Sequence, residues 1–323
     1  MIRKAGLACL LVSIAAAAAA EDIVLVAPLD CDLENDCYIQ QFVDHDPSTA
    51  AVDYRCGTLT QDGHDGTDFA VPSLARMVAG VDVLATASGT ITALRDGMAD
   101  TGYNAISSKD IKGRECGNGA VLSHGEGWET QYCHLKNGSL RVVVGQAVAA
   151  GDILGQVGLS GRTEFPHLHL SLRHNGREID PFDPQKAIDC QGEPPNNLWH
   201  APIPYQPGGI ISVGLATGIP EFDAVKAGTA ASEALKGNAP ALVVFGYGYG
   251  SRAGDSLDLR LSGPDGVVVQ QRVVLDRTQA QFTRAIGRTR STKGWPAGTY
   301  IGDVVMRRGE EVIDRASTSL QLQ

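Results

Sequence analysis

The sequence predicts a mainly β chain in two parts, and three observations carry that reading. Residues 56–185 hold β-favourable runs such as HLHLSL, broken by Gly-containing turn strings. Residues 192–209, GEPPNNLWHAPIPYQPGG, are dense in Pro, Gly and Asn and read as a linker. After it come the runs IISVGLA, ALVVFGYGYG, SLDLRLS, GVVVQQRVVL, GTYIGDVVM and EVIDRASTSLQL, with SGPDG and RRGEE supplying turns. A chain of 323 residues seldom builds one core. The expected division is therefore a segment at 1–20, a first domain at 21–191, the linker at 192–209 and a second domain at 210–323. Short strands at this spacing suggest an immunoglobulin-like β-sandwich for the second domain. AVKAGTAASEALKG is a weak helix candidate there, because its internal Gly and Thr count against it.

The elements can be justified in chain order. MIRK followed by GLACLLVSIAAAAAA is a positive n-region and an apolar h-region, and Ala18-Ala19-Ala20 fits a cleavage site. The apolar run is short for a membrane anchor, so an exported chain with no stable membrane span is expected, periplasmic in preference to fully secreted. Seven cysteines less Cys9 leave Cys31, Cys37, Cys56, Cys116, Cys133 and Cys190, an even number that suits disulfides in an exported protein. Six cysteines allow 15 connectivities. A hairpin of GNGAVLSH and WETQYCHL turning near Glu126 would bring Cys116 and Cys133 together. A small loop closed by Cys31 and Cys37 would leave Cys56 and Cys190. Residues 96–116 form a long polar insertion, read either as a groove wall or as a solvated loop.

Five side chains carry the chemistry. Gly66 and the following FAVP disfavour a helix through HDGTDFAVP, and in an extended chain His64 and Asp68 face one side. His167 and His169 do the same within HLHLSL. At roughly 3.3 Å per residue, side chains two apart stand about 6.5 Å apart, so one ring of HLH is expected to bind an ion and the other to neighbour it. With His134 of YCHL, the set offers two histidines and a carboxylate for a zinc ion with an open position, and two histidines for protons. Histidine suits that work because its pKa of about 6.5 permits both proton roles at neutral pH. No HExxH occurs, so a glutamate base is absent from its usual place. His45, His124, His174 and His200 lie in loop or turn strings and read as non-functional.

These strings resemble the lysostaphin/LytM-type zinc endopeptidases. The order is HDGTD, GVDVLATASGTITAL, GNGAVLSHGEGWETQYCHL, VVVGQAVAAGDILGQVGLSG and PHLHLSLRHNGREIDPF, through most of residues 56–185. The resemblance implies a small antiparallel β domain with its site in a groove. It also implies one zinc ion per chain, bound by His64, Asp68 and His169, with His134 and His167 as the catalytic pair. Such enzymes mostly cut peptide bonds in peptidoglycan, in stem peptides, crosslinks or interpeptide bridges. The alternatives are a secreted zinc protease acting on Gly-rich proteins, or a non-enzymatic wall-binding or amidase-regulating module. The intact set of five side chains counts against the latter.

Charge narrows the partners further. The chain carries a formal −10, with the acidic excess in residues 21–209 and a nearly neutral remainder. Nucleic acid would call for a basic patch, so it is not an expected partner. Peptidoglycan is, and the second domain is a candidate for docking an envelope protein.

Overall fold

In the computed structural model, residues 23–33, 35–102, 111–186, 190, 196–292 and 294–322 are described. The expected leader at 1–20, most of the middle of the 96–116 insertion and the start of the 192–209 stretch lie outside them. No helix among the described residues is long and apolar enough to cross a membrane.

The first part of the chain is built on one antiparallel sheet. Its strands are β1 (Tyr38–Gln41), β2 (Thr67–Ala70), β4 (Gly89–Arg95), β5 (Asn118–Gly125), β6 (Trp128–Leu135), β7 (Ala147–Val148), β9 (His167–His174) and β10 (Arg177–Ile179). They lie in the order β1-β2-β9-β6-β5-β4-β7, with β10 paired on the end of β9. β3 (Asp82–Leu84) and β8 (Ile153–Gln156) form a separate pair, so GVDVLATASGTITAL divides between two sheets. Helix α1 (Leu74–Ala79) follows Pro72, with the Ser73 hydroxyl capping the Arg76 amide at 3.2 Å.

Strand β9 shows how sequence sets this sheet. Leu168, Leu170 and Leu172 are at most 1% exposed and pack one face into the core, each burial contributing about 1.5–3 kcal/mol. The intervening His167, His169 and Ser171 line a groove on the other face. A slip of one residue would exchange the two faces, so the leucines fix the register that presents the histidines.

The β5–β6 hairpin turns at Glu126 and Gly127, with φ 47° and 83°. Two consecutive positive φ values match the twist of the flanking strands. At the far end of β6 the alternation breaks. Ala120 is in register with Tyr132 and Asn118 with Leu135, so one extra residue is held on β6. Tyr132 and Leu135 both point into the core, at 0% exposure. Cys133 and His134 between them both face the groove. His134 adopts φ 62°, a left-handed conformation costing a non-glycine residue on the order of 1–2 kcal/mol. The distortion turns its ring to the side that strict alternation would deny it.

Three disulfides join Cys31 to Cys37, Cys56 to Cys190 and Cys116 to Cys133. The last ties the start of the β5 hairpin to the residue before His134.

Residues 209–322 form a second layered structure. β11 (Gly209–Ala216), β12 (Ala241–Ser251) and β15 (Gln279–Thr289) make a three-stranded sheet. β14 (Gly266–Val274), β13 (Ser256–Gly263), β16 (Gly298–Arg308) and β17 (Glu311–Leu322) make a four-stranded one, in that order. Leu257, Leu259 and Leu261 alternate into the core between the sheets, against Phe282, Val304 and Met306. The fourth of these seven strands lies beside the third, whereas in the constant-type immunoglobulin arrangement it lies beside the fifth. β15 is a strand additional to the six apolar runs. The helix α2 (Phe222–Ala227) starts before the expected segment and ends at Gly228, φ 79°, a left-handed C-cap.

Part of the 192–209 stretch packs on the first core. Leu198 and Trp199 are buried, Trp199 bridges to Leu25, and the Tyr205 hydroxyl donates to Asp53 Oδ2 at 2.8 Å.

Candidate active site

The five side chains meet on neighbouring strands. Asp68 on β2 is in register with His169 on β9, which is in register with Cys133 on β6. His167, two residues back along β9, stands opposite Ala70. His64 precedes β2 in a loop, and His134 follows Cys133 at the bulge. They line the floor of a groove of about 820 Å³, within the range typical of ligand sites.

Asp68 Oδ1 is the meeting point. It lies 2.9 Å from His169 Nδ1, 3.2 Å from His64 Nε2 and 3.3 Å from His167 Nε2. His64, Asp68 and His169 each offer one donor atom within 4.8 Å of the others'. His134 stands further off, its ring centroid 4.7 Å from that of His167 and 6.0 Å from that of His169.

Backbone carbonyls orient three of the four rings. His64 Nδ1 donates to the Phe42 carbonyl at 2.7 Å, His134 Nδ1 to Ser160 at 2.8 Å and His167 Nδ1 to Phe165 at 2.9 Å. A carbonyl only accepts, so each of these rings carries its proton on Nδ1 and presents Nε2 to the shared space. His167 also stacks on Phe165, with centroids 4.4 Å apart. His169 is turned the other way. Its Nδ1 faces Asp68, and its Nε2 lies 3.1 Å from Ser171 Oγ and 3.2 Å from Asp65 Oδ1.

The Gly of HDGTD has a steric reason. A Cβ at Gly66 would lie 2.6 Å from His169 Nε2 and 2.7 Å from the Leu170 carbonyl oxygen. Only glycine lets the loop pass so close under the ring.

Charges in this cluster perturb one another. Burial drives His134 well below the usual imidazole range, and the neighbouring His167 and His169 push in the same direction. Burial also works against protonated His169, but Asp65 and Asp68 outweigh it and hold its pKa up at about 9. Burial opposes the Asp68 carboxylate, yet His167 and His64 keep it well below its ordinary value. The hydrogen bond from His169 lowers Asp65 to about 2.

Two imidazoles and a carboxylate converging in a groove are a donor set that suits a metal ion with an open coordination position. The outer contacts fit as well. The Phe42 carbonyl on His64 and the Asp65 carboxylate on His169 are the kind of partner that orients metal-binding imidazoles.

Other expectations sort out by position. Gly113, Glu115 and Cys116 of the 96–116 insertion line the groove, whereas 103–110 lie outside the described residues. His45 is buried against Asp180 Oδ2 at 2.8 Å, His124 bonds Ser88 and Thr130, and His174 stacks on Trp128. None of these lines the groove. Asp65, Ser171 and the three carbonyl acceptors were not singled out from the sequence. Asp65 stands inside HDGTD and could have been, but a backbone carbonyl leaves no trace in residue type.

Residues 62–181 match the family model described as Peptidase family M23. Over 120 residues the chain is 33% identical to a protein of Neisseria meningitidis serogroup B named DD-carboxypeptidase/endopeptidase Mpg, covering 36% of this chain and 22% of that one. Over 117 residues it is 31% identical to peptidoglycan DD-endopeptidase ShyA of Vibrio cholerae, with the same 36% and 22% coverage. The chain thus spans 22% of the length of each of these curated relatives. Among solved structures, the catalytic domain of lysostaphin from Staphylococcus simulans is 27% identical, covering 37% of this chain and 77% of that one, with a TM-score of 0.28.

Proposed function

From the premise that residues 62–181 form a Peptidase family M23 domain, we propose that the protein is a zinc-dependent endopeptidase hydrolysing peptide bonds in peptidoglycan. The observation that carries this reading is the convergence of His64, Asp68 and His169 within 4.8 Å on the floor of the groove, beside His134 and His167. The name of the Vibrio cholerae relative, a peptidoglycan DD-endopeptidase, supports peptidoglycan as the substrate class.

In this reading His64, Asp68 and His169 hold one zinc ion. When bound, zinc supplies Lewis acidity for a scissile carbonyl and acidifies water toward a pKa of about 7. The remaining work falls to the chain's own groups. Asp68 brings one negative charge to the centre, and Asp65 and Ser171 orient His169 from behind. His134 and His167, each donating its Nδ1 proton to a backbone carbonyl, hold and move a proton at Nε2. The groove walls align the peptide.

The proposal extends to the chain as a whole. Residues 1–20 are read as an export signal, 21–191 as the peptidase domain with its N-terminal extension, 192–209 as the connection and 210–323 as an accessory domain. The expected location is the periplasm.

Incubating the zinc-loaded chain with purified muropeptides, and reading product masses with and without a chelator, tests the function. Chelator-sensitive release of peptides cut within stems or crosslinks is expected. Intact muropeptides alongside cleavage of Gly-rich proteins would favour a protease of similar fold, and no cleavage of either would favour a binding module.

Gly66→Ala is expected to displace His169 and weaken zinc binding by about 10–100-fold, as loss of an orienting contact does. Competition against a chromogenic chelator measures it. Wild-type zinc affinity in this variant would mean that the Gly66 contact does not help to hold the ligand.

A further inference from the structure

Two outer strands meet at one end of the groove. β1 is the last strand of the first sheet, and β15 is the last strand of its three-stranded sheet. Side chains join them. Gln40 Nε2 donates to the Ala280 carbonyl at 2.8 Å. Gln281 Nε2 donates to Gln40 Oε1 at 3.1 Å and to the Tyr38 hydroxyl at 3.2 Å. The Tyr38 and Tyr249 rings pack beside this joint with centroids 4.5 Å apart. Gln40 is 1% exposed, so breaking the joint strands buried polar atoms, and the second domain is held firmly against β1.

The position of that joint matters for the groove. Gln41 is in register with Asp68, and Asp68 with His169. From His169 toward the sheet edge the groove therefore passes Asp68, then Gln41, then Ala280, whose exposed methyl lines it. Gln41 stands about 4.8 Å from Asp68 across the β1–β2 pair, and Ala280 lies beyond it on a strand joined to β1 through the Gln40 side chain. Amides and small side chains stand at this end, with Asp62 beside them. Gln41 and Gln61 offer amides, and Ala280 leaves room for a backbone. The backbone of an extended peptide can exchange hydrogen bonds with such amides where little side-chain bulk stands in the way.

We propose that Ala280 of β15 is the end wall of the substrate groove, and that through it the second domain selects extended, crosslinked peptides over single stems. This rests on the peptidase reading above. A crosslinked peptide carries residues on both sides of the scissile bond and reaches the wall. A single stem fills only one side.

The test is a calorimetric titration of the full chain, without added metal, against a disaccharide-tetrapeptide monomer and its crosslinked dimer. Wild type, Ala280→Leu and Ala280→Trp are compared. Wild type is expected to prefer the dimer. The dimer-to-monomer affinity ratio should fall tenfold or more in Ala280→Trp and by a smaller factor in Ala280→Leu, with melting temperatures close to wild type. If Ala280→Trp does not fold, the Ala280→Leu ratio decides. An unchanged ratio in a folded variant, or no preference in wild type, overturns the wall while zinc-loaded cleavage of the dimer leaves the peptidase reading standing. Failure of wild type both to bind and to cleave either peptide overturns the two together.

Discussion

Replacing His64, Asp68 or His169 by alanine is expected to abolish bound zinc and hydrolysis together, with activity falling to background in each variant. The three residues supply all of the protein donors proposed for the ion, so each change leaves two. Asp68 is central to the set, its Oδ1 lying within 3.3 Å of three imidazole rings. Its removal also withdraws the one negative charge at the meeting point of those rings. Metal content by atomic emission after gel filtration, paired with muropeptide cleavage, measures both consequences. Stoichiometric zinc in all three variants would sink the ligand assignment.

His134→Ala and His167→Ala are expected to keep stoichiometric zinc and lose turnover by on the order of 10²–10⁴, the contribution of a positioned proton-transfer group. Neither ring is needed to bring the other three donors together. His134 reports most cleanly, because its ring makes no contact with Asp68 of the kind that the other three rings make, and its Nδ1 is held by the Ser160 carbonyl. His167 is the sharper test of the HLH pair, since its Nε2 approaches the same carboxylate oxygen as His169 does, at 3.3 Å against 2.9 Å. Zinc lost from His167→Ala and retained in His169→Ala would reverse the pair.

Much of this was legible in the sequence because it is local. The alternation in HLHLSL puts leucines on one face and histidines on the other, and the structure keeps that division on β9. The β5–β6 hairpin turns where GEG promised, and the short extended segment at HDGTDFAVP is strand β2. The three cysteine pairs follow the same local logic of a hairpin, a small loop and a remainder.

Strand β15 was not legible. Of its eleven residues only Phe282 and Ile286 are buried, four positions apart among Gln, Thr and Arg, so no period-2 signal appears. It is strand because β12 pairs with it along nearly its whole length, a contact made across some forty residues of chain. The helix after Pro220 was misplaced for a related reason. Its start at Phe222 and its stop at Gly228 depend on a left-handed cap and on packing against α1, more than on the propensity of the Ala-rich stretch that follows.

The sequence by itself determined which residue types are available for the chemistry, the two-part β organisation and the faces of the strands that carry the site. Only the tertiary structure decided three further things. The bulge at His134 turns its ring into the groove against the local alternation, because Ala120 and Asn118 take register with Tyr132 and Leu135. Carbonyls of Phe42, Ser160 and Phe165, each brought from elsewhere in the chain or from a turn, choose the ring nitrogen that faces the shared space. The bond from Gln40 to the Ala280 carbonyl brings β15 beside the groove. Apart from the Phe165 carbonyl, two residues from His167, each depends on a backbone group brought in by long-range contacts, and a backbone atom is the same in every residue, so residue identity could not announce it.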